Sequence, residues 1–220
     1  MKKALVTAGR SNLGKAICKA LEEAGYEVYY TVSSPAKADS PQAICADLTD
    51  EGAVKDALSS FEKLDLLVNN AGIFTEGDQQ NLSTGDFDKV MDLNVRGLFL
   101  VTRTLLPALK KAGGSIVNIA SMNALHPGFG TAHYDASKAA VSAYTASLAA
   151  ETGLRVNALA PGLIDTEGLH GTELEKHWKS HTVRNQMMKP SELAAIVVFL
   201  AESTGIYGQT ILADNGYCLK

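Results

Sequence analysis

The sequence predicts an α/β fold: a doubly wound parallel sheet of about seven strands with helices on both faces. Three observations carry this expectation. Short apolar runs alternate with longer amphipathic stretches along the whole chain. Several runs, ALVTA (4–8) and SIVNIAS (115–121) among them, are nearly continuous in apolar residues rather than alternating, as suits strands covered on both faces. The 220 residues, 46% hydrophobic and 20% charged, suffice for one sizeable core, so 1–220 is read as a single domain.

Strands are expected at 4–8, 27–32, 42–46, 65–71, 115–121, 155–160 and 209–214. The first helix runs over 12–24 and stops at Gly25. Thr49 or Asp50 caps a second, ending near Phe61. Residues 83–111 form a long helical region, broken around Gly85 and closed by Gly113-Gly114. An Ala- and Ser-rich helix covers 133–151, and Pro190 or Ser191 opens the last one. Only residues 33–41, with Pro35 and Pro41, separate the second and third strands. A parallel crossover usually needs a dozen residues or more, so the helix there reduces to a loop or single turn.

The formal net charge of −4 gives no electrostatic reason to expect nucleic acid or an anionic membrane as partner. Three widely spaced cysteines form no disulfide framework and no zinc-type pair, which favours a reducing compartment. The apolar run after the first lysines ends at Gly9-Arg10, too short for a signal peptide, and no run suits a membrane span. A cytoplasmic protein is expected.

The first strand leads through Gly9, Arg10, Ser11, Asn12, Leu13 and Gly14 into a helix. Free backbone N–H groups and the helix dipole make such a turn an anion site, the expected seat of a dinucleotide pyrophosphate. A tight turn without ligand is the alternative. NAD sites usually place a carboxylate about 20 residues beyond the glycines to grip the ribose 2′-OH. Here the second strand ends in Ser33-Ser34, with no acid before Asp39. The serines could donate to a 2′-phosphate, and Arg10 or Lys37 could neutralise it, unless both are simply solvated. NADP(H) is therefore preferred, with NAD(H) left open.

Tyr134 and Lys138 stand four residues apart in a helical stretch, on one face and one turn apart. A nearby ammonium lowers a phenol pKa, so this tyrosine could give a proton to a carbonyl oxygen or take one from an alcohol. A half-buried Tyr beside a snorkelling Lys is the plain alternative. Ser121, at a strand's C-terminal end where ligands gather in such sheets, could hydrogen-bond the oxygen that gains charge, or merely cap the strand.

Residues 115–144 resemble the active-site segment of the short-chain dehydrogenase/reductase family, a Rossmann-type fold: a serine, then YxxxK after the same gap. The resemblance extends over the whole chain. Thr7 to Gly14 is similar to the family's TGxxxGxG loop, with Ala8 and Asn12 in place of the first two glycines. Asn tolerates positive φ, so the turn is expected to survive at Asn12. The resemblance implies that Asn69, Asn70, Ala71 and Gly72 flank the adenine ribose and that Asp47 and Leu48 contact adenine. It implies that Asn94 holds a water of the proton relay, and that Pro161, Gly162, Ile164 and Thr166 meet the nicotinamide carboxamide. Asp214-Asn215-Gly216 stands where relatives often have DGG. By the same resemblance Tyr134 is the acid/base, Ser121 orients the carbonyl, and Lys138 binds the nicotinamide ribose. A homodimer or homotetramer built on the helices around Asn94 and Tyr134 is also implied.

Residues 165–189, with Trp178, Met187 and Met188, read as a substrate lid. His177 and His181 have metal-ligand spacing but lack an evident third ligand, so no metal is expected. His126 and Phe129 are candidates for the pocket wall, and His133 is not expected to be catalytic. Two functions result: a carbonyl reductase or alcohol dehydrogenase, and a dinucleotide-binding sensor or scaffold without turnover. The complete set of Asn94, Ser121, Tyr134 and Lys138 favours the first. The substrate stays open.

Overall fold

The computed structural model describes residues 1–219. Seven strands, β1 (Lys2–Val6), β2 (Tyr26–Val32), β3 (Ala43–Cys45), β4 (Leu66–Asn69), β5 (Ser115–Ile119), β6 (Arg155–Pro161) and β7 (Thr210–Ala213), form one sheet in the order β3-β2-β1-β4-β5-β6-β7. Every pairing is parallel. The seven helices are α1 (Asn12–Glu23), α2 (Glu51–Leu58), α3 (Thr84–Met91), α4 (Leu98–Ala112), α5 (Ala132–Thr152), α6 (Glu173–His181) and α7 (Pro190–Glu202).

The unbroken apolar runs have the reason expected of them. Ala4 and Val6 face one core layer with Leu13, Ile17 and Leu21 of α1 and Leu193, Val197 and Leu200 of α7. Leu5 faces the other, with Val54 and Leu58 of α2, Val101, Leu105 and Leu109 of α4, and Leu148 of α5. Each strand side chain thus has a covering helix whichever way it points. Full burial of one such leucine contributes about 1.5–3 kcal/mol. Strand order reverses between β1 and β4, so the C-terminal ends of β1, β4 and β5 open onto one cleft.

A polar seam crosses the core beneath that cleft. Asn69 Nδ2 donates to Asn118 Oδ1 (2.8 Å) and Thr102 Oγ1 (3.0 Å), and Asn118 Nδ2 donates to Thr145 Oγ1 (2.9 Å). These bonds tie β4 and β5 to α4 and α5. Such paired amide groups also fix register, because a slip would strand them unpaired, as Asn69 Oδ1 already is.

Element ends shift by a few residues throughout, and three departures bear on the site. β1 ends at Val6 because Ala8 turns left-handed (φ 52°). The helical region 83–111 is not broken at Gly85, which lies in the first turn of α3. The irregularity falls at Asp92–Gly97, a π-helical turn that carries Asn94, and wide turns of this kind recur at functional sites. The lid region holds a helix, α6, capped by Thr172 Oγ1, which accepts from Glu175 N (3.2 Å). The shortened crossover is as expected: one 3₁₀ turn, Pro35–Lys37, followed by a three-residue β3. Among the described residues no helix is long and apolar enough to cross a membrane.

Candidate active site

The turn after β1 is splinted by the Asn-Asn-Ala-Gly segment after β4. Thr7 Oγ1 accepts from Asn70 N and Ala71 N (both 2.8 Å). Asn70 Nδ2 donates to Thr7 O (2.9 Å), Ala8 O (3.2 Å) and Ser11 Oγ (3.2 Å). Ser11 caps α1 by accepting from Gly14 N (3.0 Å). The helix starts at Asn12, so the N–H groups of Asn12 and Leu13 have no partner within it, and together with the dipole they form an anion site. A Cβ on Gly14 would lie 2.9 Å from Gly9 Cα, and one on Gly9 would lie 2.9 Å from Tyr30 Cγ. Both glycines therefore exist to let backbone approach backbone and β2.

The left-handed residue is Ala8, not Asn12 as the resemblance suggested. Asn12 is helical and sends Nδ2 to Asp165 O (3.0 Å), joining the loop to the base of the lid. A left-handed alanine is strained by about 1–2 kcal/mol. Ala8→Gly is accordingly expected to raise stability by about 1 kcal/mol, after the entropic cost of glycine, as read from the urea midpoint. A lower midpoint would show that Ala8 is not strained.

Beside β2, the Arg10 guanidinium lies over the Tyr30 ring (4.3 Å to its centroid) and donates to the Tyr30 hydroxyl (2.6 Å). It also pairs with Asp39, which accepts from the Tyr30 hydroxyl as well. Hydrogen bonds from Tyr30 and Arg10 hold the Asp39 carboxyl below its ordinary pKa. The sequence reading placed this acid too far along the chain to matter. The single-turn crossover folds it back onto Arg10. Ser33 is exposed and accepts from Lys37 Nζ (3.2 Å), and Ser34 follows half-buried. Asp47 accepts from Thr49 N (2.9 Å) and Thr49 Oγ1 (2.7 Å), while Leu48 is buried. A Cβ on Gly97 would come 3.1 Å from Leu48 O, so this glycine lets the π turn close on the Asp47-Leu48 segment.

The four residues singled out for chemistry converge beyond the ends of β4 and β5. Tyr134 and Lys138 share a face of α5, with Lys138 Nζ 5.8 Å from the phenol ring centroid. Lys138 is 5% exposed and donates to Ile119 O (2.8 Å). Burial lowers its pKa to about 8. Burial also raises the Tyr134 pKa, against the pull of the neighbouring Ser121 hydroxyl, and the Asp135 charge raises it further. The expectation of a phenol already tuned downward is thus not met by these side chains alone. Ser121, expected within the strand, lies two residues beyond β5, 8% exposed, where it caps the turn Met122–Ala124 by accepting from Asn123 N (3.2 Å).

Asn94 is buried and its side chain is fully occupied. Oδ1 accepts from Ile73 N (2.8 Å), and Nδ2 donates to Ile73 O and Ser137 Oγ (both 3.0 Å). Its amide therefore clasps the Gly72-Ile73 backbone to α5. A Cβ on Gly72 would fall 3.1 Å from Asn94 Oδ1 and 3.3 Å from Lys138 Nζ. Gly72 thus lets the backbone after β4 pass close against Asn94 and the buried ammonium, a donor chemically suited to the ribose hydroxyls of a nicotinamide dinucleotide.

On the far wall Gly162 N donates to Ala213 O (2.8 Å), and a Cβ there would lie 2.9 Å from Asp214 Cα and 3.0 Å from Trp178 Cζ2. Pro161 is buried at the end of β6, and Ile164 and Thr166 are half-buried. The two ends of segment 165–189 meet: Asp165 N donates to Met188 O (2.8 Å) and Met188 N to Leu163 O (2.9 Å). Trp178 and Met187 pack with Met122, the residue after Ser121.

Tyr217 and Phe74 are contributors that no motif in the sequence pointed to. Tyr217 stacks on Trp178 (centroids 4.0 Å apart), held by Asp214, which accepts from Gly216 N and Cys218 N (2.9 and 2.8 Å). Asn215, left-handed at φ 55°, donates to Gln186 O and Met187 O (3.0 and 3.1 Å). Phe74 meets the Tyr134 ring edge-on at 4.9 Å. His126 and Phe129 stand exposed. His133 is buried and joins Thr75 Oγ1 (2.7 Å). His177 and His181 stack at 4.1 Å, with His181 Nδ1 bonded to His177 O (2.7 Å).

The family model described as Enoyl-(Acyl carrier protein) reductase matches residues 7–218. The acetoacetyl-CoA reductase of Acinetobacter sp. is 32% identical over 240 positions, with 98% of this chain and 97% of that protein covered. Among solved structures, a short-chain dehydrogenase/reductase from Serratia marcescens superposes with a TM-score of 0.91 at 32% identity, covering 98% and 97% of the two chains. ElxO with NADP bound gives 0.90 at 29% identity, covering 100% of this chain and 99% of that one. Sequence, sheet order and converging site agree: the chain belongs to the short-chain dehydrogenase/reductase family of nicotinamide-dependent oxidoreductases acting on CH–OH and C=O groups.

Proposed function

We propose that this protein is an NADP(H)-preferring carbonyl reductase or alcohol dehydrogenase, with Tyr134 as its general acid/base. The convergence of Ser121, Tyr134 and buried Lys138 beyond the ends of β4 and β5 carries the reading. When bound, the reduced nicotinamide supplies hydride to the carbonyl carbon. Ser121 Oγ–H donates to the carbonyl oxygen, where charge grows. Tyr134 gives that oxygen its phenolic proton, and the Lys138 ammonium offsets the phenolate left behind. In the alcohol-oxidising direction Tyr134 takes the proton. Asn94 holds the Gly72-Ile73 backbone to Ser137 of α5, which fixes that backbone beside Lys138.

The phosphate loop (Gly9, Arg10, Ser11, Asn12, Leu13, Gly14) takes the pyrophosphate in this reading. Ser33 and Ser34 border the adenosine ribose, Asp47 and Leu48 the adenine, and Asn70, Ala71 and Gly72 the space between. Pro161, Gly162, Ile164 and Thr166 form the nicotinamide wall, with 165–189 as the lid. Oxidation of NADPH, followed at its absorbance against ketones, 3-oxoacyl thioesters, quinones and keto sugars, tests it. Turnover with at least one class is expected. NADPH binding without turnover by any would favour the sensor or scaffold instead.

The NADP preference rests on Arg10, whose charge is partly spent on Asp39. Asp39→Asn removes the competing carboxylate and is expected to tighten NADPH about two- to fivefold, leaving NADH unchanged. Fluorescence titration reads both constants. Tightening of NADH alone would contradict the assignment of Arg10 to the 2′-phosphate.

A homodimer or homotetramer would use the face of α4 and α5, where Val95, Phe99, Val141 and Tyr144 line an open apolar groove of about 420 Å³. A cytoplasmic location suits three free cysteines, one of them exposed.

A further inference from the structure

Asp135 is a buried carboxylate that the mechanism above does not use. It sits one residue after Tyr134 and forms no ion pair among the described residues. Instead it accepts from Asn123 Nδ2 (2.7 Å), Gly128 N (2.9 Å) and Thr131 Oγ1 (3.1 Å). The three donors span the whole loop between Ser121 and α5. Asn123, whose side chain Asp135 holds, gives its own backbone N–H to Ser121 Oγ (3.2 Å). The loop is drawn tightly around the carboxylate: a Cβ on Gly128 would lie 2.8 Å from Thr131 Oγ1 and 3.1 Å from Asn123 Nδ2.

We propose that Asp135 is a positioning residue, which sets Ser121 and its loop against Tyr134 through Asn123. The proposal rests on the reading of Ser121 and Tyr134 as the reacting pair. A neutral side chain could staple a loop. Burying a charge without a cation costs more, and strong charge-assisted bonds only offset that cost. What the charge adds is its effect on the neighbouring phenol, whose pKa it raises. The charged groups around Tyr134 are Asp135 and Lys138, both on α5, while Phe74 and the Ser121 hydroxyl lie on its other sides. Asp135 thus favours the protonated tyrosine, the form that donates during carbonyl reduction.

The test compares wild type, Asp135→Asn and Asp135→Ala in kcat, KM and pH profile, with a carbonyl substrate that wild type turns over and with NADPH binding measured separately. Asp135→Ala is expected to lower kcat about 10- to 100-fold through misplacement of Ser121, with NADPH affinity unchanged. Asp135→Asn is expected to lose less, and to move the pH midpoint assigned to Tyr134 downward. Should Asp135→Ala fail to fold, Asp135→Asn carries the test. Wild-type kcat and midpoint in Asp135→Asn would overturn the proposal, as would a lowered kcat with an unmoved midpoint, which a purely structural staple gives. Absence of turnover by wild type would instead count against the reading of Ser121 and Tyr134.

Discussion

Tyr134→Phe is expected to lower kcat by a factor of about 10² to 10⁴ while leaving NADPH affinity near that of wild type. The substitution deletes only the hydroxyl. The ring keeps its edge-on contact with Phe74, and Lys138 keeps its bond to Ile119 O. In the reduction direction the carbonyl oxygen then acquires charge with Ser121 as its remaining donor, which is why some activity should survive. The pH dependence provides an internal control. Burial holds the phenol above its ordinary pKa, so it is protonated and able to donate throughout the neutral range. The limb of the wild-type profile at which reduction falls as pH rises should be missing from the residual activity of the variant. Paired stopped-flow turnover and fluorescence titration would check both parts. Loss of NADPH binding, or an unchanged kcat, would show that Tyr134 is not the acid.

Lys138→Met is expected to abolish useful turnover and yet to stabilise the cofactor-free fold. Burial holds the ammonium pKa at about 8 instead of its ordinary 10.5. That difference corresponds to about 3 kcal/mol of cost at neutral pH. Methionine has a similar length and no charge. It removes that cost but leaves Ile119 O without its donor, which returns about 1 kcal/mol. A net gain of about 2 kcal/mol in urea unfolding is the result. Below about pH 8 the lysine is charged in both folded and unfolded chains, and the full cost is present. Between about 8 and 10.5 the folded chain releases its proton first, so this lysine makes wild-type stability rise with pH. The buried thiol of Cys18, pushed up to about 12, contributes the opposite slope in both proteins. The informative quantity is therefore the difference between wild type and variant, which should shrink across that window. A variant less stable than wild type at pH 7 would mean that the ammonium is not a burden on the fold.

A lysine costly to the empty fold marks a site arranged for a ligand. The same feature explains how much of it could be read in advance. Tyr134 and Lys138 were legible because four residues of helix fix their relation, and Ser121 because strand ends of a parallel sheet share one edge. The covering of both sheet faces was legible from unbroken runs such as Ala4-Leu5-Val6. Asp39 was not: its 29-residue separation from Arg10 closes only through the single turn at Pro35–Lys37, whose path no local pattern dictates. The π turn around Asn94 was missed because apolar spacing reports a mean period and hides one widened turn. Asn's tolerance of positive φ put the turn at Asn12, whereas the left-handed residue is Ala8, the other position at which an expected glycine is replaced. The C-terminal clasp, Asn215 on Gln186 and Met187 and Tyr217 on Trp178, depends on tertiary pairing between segments whose contact no local pattern dictates.

The most direct test of hydride transfer governed by Tyr134 uses NADPH deuterated at the transferable position of its nicotinamide. After turnover with a reactive carbonyl compound, the label should lie on the carbinol carbon of the product, and in Tyr134→Phe it should arrive there at the reduced rate given above. Deuterated NADPH that binds but delivers label to no carbonyl carbon, or that delivers it equally fast without the Tyr134 hydroxyl, would contradict it.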